Sequence, residues 1–313
     1  MENGLRKALC SVLGSLLLGL AGCSTEPGGS GGPPTFQSGF VYIRRDDGNV
    51  YLADDTAPTI PILVTAGGDN HMPALSRDAR KIVFVHRSGA NAEIDTVSVS
   101  AASGTPPTTV LSSTASANDF RLPIFSPDGS YIVFAYDTGT SSFLGRVNVD
   151  GSNFQRIAGS SARSYTSPSF FANGSHLLAA SGSSPSQYDT LVDVNLAGAA
   201  VPLTTLPSEL LGLANRAQIS PDGNQVALDG LSPIGASWLY GYSIAGGQFT
   251  RLVNYPAQPT ATETFPTWVG VTQVGYSSDY GGDDSIYIVA AAAHDASGTL
   301  KVPSAIEPFY APY

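Results

Sequence analysis

Five short segments of this 313-residue chain gather the side chains best suited to recognition chemistry. They read Asp69-Asn70-His71, Asn118-Asp119-Phe120-Arg121, Arg163-Ser164-Tyr165, Asn215-Arg216 and Glu263-Thr264. Arg121, Arg163 and Arg216 each carry the planar fork of donors that grips a carboxylate or phosphate at two points. Asp69, Asp119 and Glu263 would balance those charges or bind a cation, and Asn70, His71, Tyr165 and Asn215 would add further donors and acceptors. The same set serves equally as a wet polar surface whose charges pair with one another. A second acidic stretch, Asp279-Tyr280-Gly281-Gly282-Asp283-Asp284, offers hard oxygen atoms around glycines, as calcium sites do, but its spacing matches no defined loop and it reads as a solvated hairpin. Covalent and metal chemistry lack comparable support. There is no nucleophile elbow, P-loop, His-Glu-x-x-His pair or EF-hand loop, and His71, His86, His176 and His294 are scattered. No catalytic residue, metal ligand or cofactor is assigned from these residues.

What must position the five segments is a repeat. Pro73-Ala-Leu-Ser-Arg-Asp-Ala79, Pro123-Ile-Phe-Ser-Pro-Asp-Gly129, Pro168-Ser-Phe-Phe-Ala-Asn-Gly174, Ala217-Gln-Ile-Ser-Pro-Asp-Gly223 and Pro266-Thr-Trp-Val269 carry one theme. Each precedes a strand-like apolar run, and a sixth run opens at Phe40, so the runs begin at 40, 82, 132, 177, 226 and 274. That period fits four short antiparallel strands per unit, as in a propeller blade. Third strands are expected at 49–54, 93–99, 144–150, 189–196, 237–244 and 284–290, and fourth strands at 60–65, 108–113, 154–158, 200–206, 249–254 and 298–302. Asp150-Gly151 and Gly246-Gly247 fall between third and fourth strands, where hairpins need positive φ. The Pro-Asp-Gly turns are structural chemistry: Pro presets φ, Asp caps the turn and Gly takes the left-handed position.

The Ser-Pro-Asp-Gly turns, their flanking Pro and Phe, and Val149-Asp150-Gly151-Ser152-Asn153 resemble the repeats of TolB-type six-bladed β-propellers. The resemblance covers 36–313 and implies an all-β fold of six four-stranded antiparallel blades. Phe171-Ala-Asn-Gly174, Val269-Gly-Val-Thr272 and Ser76-Arg-Asp-Ala79 depart from the turn pattern. Glu307-Pro308-Phe309-Tyr310-Ala311-Pro312 aligns with Leu122-Pro123-Ile124-Phe125-Ser126-Pro127. The C-terminal segment is therefore expected to supply the inner strand of the blade begun by Phe40, closing the ring; Thr35–Ser38 is the alternative. In a propeller the connection into each inner strand crosses one face towards the central channel, so the five polar segments are expected to converge on one mouth. TolB itself works in the periplasm with a peptidoglycan-associated lipoprotein, so the resemblance implies a non-enzymatic protein- or peptide-binding scaffold. Other propellers resembling TolB are oligogalacturonide lyases using metal-bound histidines. An enzyme acting on acidic oligosaccharides is thus the alternative, with only His71 near the mouth.

The first residues carry an address. Met1–Lys7 holds Arg6 and Lys7, Ala8–Leu20 is an apolar run too short to span a bilayer comfortably, and Leu20-Ala21-Gly22-Cys23 follows. This resembles a bacterial lipoprotein signal. It implies removal of 1–22, lipidation of Cys23 and anchoring in a membrane, and Ser24 in place of Asp suggests the outer membrane. Cys10 leaves with the signal, so the mature chain keeps no free thiol. Residues 23–35 (CSTEPGGSGGPPT) form a Gly/Pro/Ser tether. An envelope protein or peptide is the expected partner. A net charge of −10 and a pI near 4.7 argue against nucleic acid, and 34 Gly with 22 Pro argue against a coiled coil.

Overall fold

The second strand of each repeat reads as an unbroken apolar run because both its faces are covered by neighbouring sheets. In the computed structural model, which describes residues 36–101 and 103–312, Ile82–Val85, Ile132–Ala135 and Leu177–Ala180 are fully buried. The outer strands are shorter or more exposed, from Ile62–Leu63 in the first blade to Ala200–Thr205 in the fourth. The described residues form six four-stranded antiparallel sheets, with second, third and fourth strands falling where the repeat predicts them to within a few residues. Ala305–Ala311 is the inner strand of blade 1. Asn70–Leu75, Asn118–Phe125, Ser164–Phe170, Gly212–Ile219 and Glu263–Val269 are those of blades 2 to 6. Each inner strand touches the next around a complete circle. The signal segment 1–22, Cys23 and the tether 23–35 lie outside the described residues.

Turn chemistry explains the repeat. Ser126 Oγ donates to Asp128 at 2.6 Å and accepts from Tyr131 N at 3.1 Å. Ser76 with Asp78 and Ser220 with Asp222 repeat the arrangement at 2.6 Å. Gly129, Gly174 and Gly223 take the left-handed position with φ of 69°, 69° and 76°. Two of the departures keep this geometry, whereas Val269–Thr272 places its left-handed residue at Gly270 instead. Ala79 N and Gly174 N each donate to a carbonyl three residues back, as Gly129 N does, although Ala79 must hold φ at 56° with a Cβ.

Ring closure uses the C-terminus. Gly39, Phe40 and Val41 pair with Ala311, Tyr310 and Phe309, while Ile43 and Arg44 pair with Ile306 and Ala305. Thr35–Ser38 does not supply that strand; Gln37 N instead donates to Asp54. Inner strands of adjacent blades are also stitched by side chains. Ser167 Oγ accepts from Ala217 N at 2.7 Å, Gln218 Oε1 from Trp268 N at 2.8 Å, and Thr267 Oγ1 from Tyr310 N at 3.0 Å.

One backbone irregularity recurs. The inner strands of blades 2 to 6 show a register shift midway, and blade 1 shifts between Val41 and Ile43 opposite its inner strand. In five blades the residue at the shift has left-handed φ of 50–54° and precedes a proline: Met72, Leu122, Ser167, Phe265 and Glu307. A bulge leaves one backbone N–H without a ladder partner, and proline has none to leave. In blade 5, Arg216 occupies this place, Ala217 replaces proline, and the added N–H is taken by Ser167.

Ending the chain after Ser304 strips blade 1 of its inner strand and bares Phe40, Val41 and Ile43. The truncated chain is expected to lose at least about 3 kcal/mol and the cooperativity of its urea transition. A parent-like midpoint would contradict closure by the C-terminus.

Candidate functional site

The five polar segments are not loops leading into the inner strands. Most of their residues form the first halves of those strands, ahead of the bulge. The motif marks only the second half, so the strands begin three to five residues earlier than it suggests. Two cavities share the central channel. One, of about 250 Å³, opens at the mouth and is lined by Arg121, Thr166, Tyr188, Asn215, Met72 and Phe265 among others. The other, of about 40 Å³, lies towards the Ser-Pro-Asp-Gly turns. Leu122 lines both, at the level of the bulges.

The bulge residues close the channel between the cavities. Glu307 accepts from Met72 N, Met72 Sδ lies 3.3 Å from Leu122 N, and Arg216 lies over the rings of Phe265 and Phe309 at 5.3 and 5.6 Å. The bulge N–H groups of Met72, Leu122, Phe265 and Glu307 are received by side chains of a neighbouring blade, and that of Arg216 by Asp229 of its own blade. Asp229 is the anchor on one side. It is fully buried in the second strand of blade 5 and accepts from Asn215 N, Asn215 Nδ2, Arg216 N and Phe265 N at 2.6–3.0 Å. Burial pushes its carboxyl upwards, and those four donors oppose the shift.

At the mouth the charges pair among themselves. Arg87 meets Asp119 at 2.7 Å, and Arg121 meets Asp137 at 2.5 Å and Asp119 at 3.9 Å. Ser142 Oγ donates to Asp137 and accepts from Arg121 at 3.0 Å and Tyr188 at 2.8 Å. His71 stands between Asp69, at 3.0 Å, and Glu307, at 3.6 Å. The Glu307 carboxylate raises the His71 pKa against the effect of burial. Arg163 is exposed and donates to Ser181 Oγ, and Tyr165 is half-buried against the core.

Three expected mouth residues lie elsewhere. Asn70 is buried and spends its amide on Gly48 O, Gly67 O and His86 Nδ1. Arg216 lines the turn-side cavity, because its bulge aims the side chain past the mouth. Glu263 is buried against the third strand of blade 5, and its Oε2 has no partner. Sequence reasoning missed Ser142, Tyr188, Asp137 and Asp229. Of these only Asp229 left a trace, as a charge inside the apolar run Val226–Gly230.

Blade 5 adds a different feature to the mouth. Leu211, Leu231 and Ile234 are exposed by 55%, 38% and 58%, on the connection into its inner strand and on the hairpin after its second strand. Both segments lie on the mouth face, and Leu211 N donates to Leu231 O at 2.7 Å. The acidic hairpin of blade 6 is occupied by structural contacts. Asp279 accepts from Thr262 N, Tyr280 stacks on Tyr255 at 3.7 Å, and Asp284 pairs with Arg45.

No protein-family model matches the sequence, and no curated protein matches it significantly. Solved structures do match. TolB from Acinetobacter baumannii superposes with a TM-score of 0.69 at 20% identity, over 91% of this chain and 69% of that one. Oligogalacturonate lyase from Vibrio parahaemolyticus gives 0.55 at 17%, over 81% and 74%. A puromycin-hydrolysing peptidase from Mycobacterium tuberculosis gives 0.57 at 17%, over 83% of this chain but 43% of that one. At these identities the likeness establishes the six-bladed propeller fold, which TolB shares with enzymes.

Glu263 makes the electrostatics testable. Burial raises its pKa from 4.5 to about 8, Arg251 opposing. Below pH 4.5 the folded and unfolded chains both hold the proton. As pH rises towards 8 the unfolded chain ionises first, so stability falls. Glu263→Gln should be more stable than the parent at pH 8 by about 2 kcal/mol, the gap shrinking towards zero near pH 4.5. Denaturant titrations at the two pH values decide; an equal gap at both would contradict the assignment.

Proposed function

We propose that the chain is an exported, cell-envelope propeller that binds a protein or peptide segment at its mouth without catalysing a reaction. The observation that carries this reading is an exposed apolar cluster beside a concave mouth of mixed polar and apolar lining. A cavity of about 250 Å³ has Met72, Leu122, Leu213 and Phe265 in its lining, and Leu211, Leu231 and Ile234 stand exposed beside it. Exposed apolar side chains gathered beside a concave surface are the usual sign of a docking site. Arg121 and Asp119 are already neutralised by Arg87 and Asp137, so net charge contributes little to the grip. Asn215 and Tyr188 would orient a bound main chain by hydrogen bonds. Lipidation of Cys23, with a tether over 23–35, would hold the propeller near a membrane and place its partner among envelope proteins.

The alternative, an enzyme acting on acidic oligosaccharides, rests on the shared fold. The placement of the histidines supports the binding reading instead. His71 sits between two carboxylates at the mouth. His86 holds Asn70, His176 holds Asp193 on the second strand of blade 4, and His294 lies beside Asp295.

A photo-reactive side chain at Ile234 should give a discrete crosslinked adduct in intact envelopes, and one at Asn224, on the turn face, should give none. Adducts of equal yield at both positions, or none at Ile234, would contradict recognition at the mouth. Leu211→Asp with Ile234→Asp should lower the adduct from a probe at Ser186 by about ten-fold or more.

A further inference from the structure

The turn-side cavity is walled by Ile124, Phe125, Phe170, Ile219 and Phe309, and its inner end is formed by Arg216. Arg216 is 6% exposed, and its guanidinium makes one hydrogen bond among the described residues, to Pro308 O at 2.6 Å. No carboxylate among them lies within ion-pairing distance of it. Asp229 is saturated by four N–H groups, and Glu307 is held by Met72 N and His71. Ser169 and Gln218, the polar side chains nearby, already accept from Ile219 N and Trp268 N. A buried cation in contact with aromatic faces and one carbonyl retains unused donors, and an anion in the apolar space before it would restore the balance that desolvation removes.

We propose that this cavity is a binding site for a small organic monocarboxylate with an apolar body, its carboxylate on Arg216. Size limits the class. About 40 Å³ holds roughly three water positions, enough for a short alkyl chain and too little for an aromatic ring, a peptide strand or a lipid. Shape and charge agree: apolar walls take the body, and the guanidinium fork takes two carboxylate oxygens. Arg77, exposed on the Ser-Arg-Asp-Ala turn, lines the same cavity and adds positive charge there. Asp128 and Asp222 on the neighbouring turns are each bonded to the serine of their own turn, at 2.6 Å. Burial lowers the Arg216 pKa only to about 10, so the site stays cationic at neutral pH. This site lies at the opposite end of the channel from the mouth and stands or falls independently of recognition there.

The test is a ligand-observed NMR titration of the full chain at pH 7 with butyrate and, as neutral twin, butyramide. The acid should bind in the low-millimolar range or tighter, about ten-fold or more above the amide. Ala172→Trp, which adds an indole at the cavity wall from an exposed turn position, should abolish acid binding while leaving the melting curve unchanged. Arg216→Gln should bring the acid to the level of the amide; if that variant does not fold, Ala172→Trp decides. Equal binding of acid and amide, unaltered binding in Ala172→Trp, or no binding of the acid up to about 10 mM would each overturn the proposal.

Discussion

Everything at the axis of this molecule follows from how bulged inner strands satisfy their backbone. Six strands converge on one channel, where the ladder is interrupted once in each of five blades and twice in blade 3. An interrupted ladder exposes N–H groups to a space with little water, and each needs an acceptor. The chain answers in three ways. Proline after the bulge removes one donor, as at Pro73, Pro123, Pro168, Pro266 and Pro308. Side chains receive others, from a neighbouring blade as Glu307 does for Met72 and Asp229 for Phe265, or from the same blade as Asp229 does for Arg216. Where proline is absent, Ser167 accepts from Ala217. The result is a layer of side chains that joins the blades and divides the channel.

That division sets the electrostatics. Charges at the mouth have room to pair with each other, and they do, so the acidic net charge of the protein contributes solubility more than selectivity. Charges at the bulge layer have no such room. Asp229 is stabilised by N–H dipoles instead of a cation, and Arg216 by aromatic faces and a carbonyl. The two ends of the channel therefore differ in kind: a wide, neutralised, partly apolar mouth and a narrow apolar cavity ending in a cation.

The architecture was legible because its signals are local. A Ser-Pro-Asp-Gly turn and the apolar run after it are one hairpin, and six such hairpins at regular spacing leave few alternatives. Even the closing strand could be read, since Glu307-Pro308 and Leu122-Pro123 hold the same bulge. The site was legible only in part. Asp69, His71, Asp119, Arg121 and Asn215 do reach the mouth, but Asn70, Arg216 and Glu263 do not. The side-chain alternation of a strand reverses across a bulge, and the bulge leaves no mark beyond the proline that follows it. Arg216 lacks even that proline. Ser142 and Tyr188 lie on third strands or their approaches, where nothing in the repeat distinguishes them from packing residues.

The central claim is that side chains of the same or a neighbouring blade hold the bulge amides. Amide hydrogen exchange of Met72, Phe265 and Arg216, read by NMR alongside the second-strand amides of Phe84 and Leu228, tests it directly. The account predicts that the three bulge amides exchange nearly as slowly as the second-strand amides, and that Asp229→Ala releases Phe265 and Arg216 while leaving Met72 protected. Bulge amides exchanging at the rate of exposed loops in a chain whose second strands stay protected would contradict it.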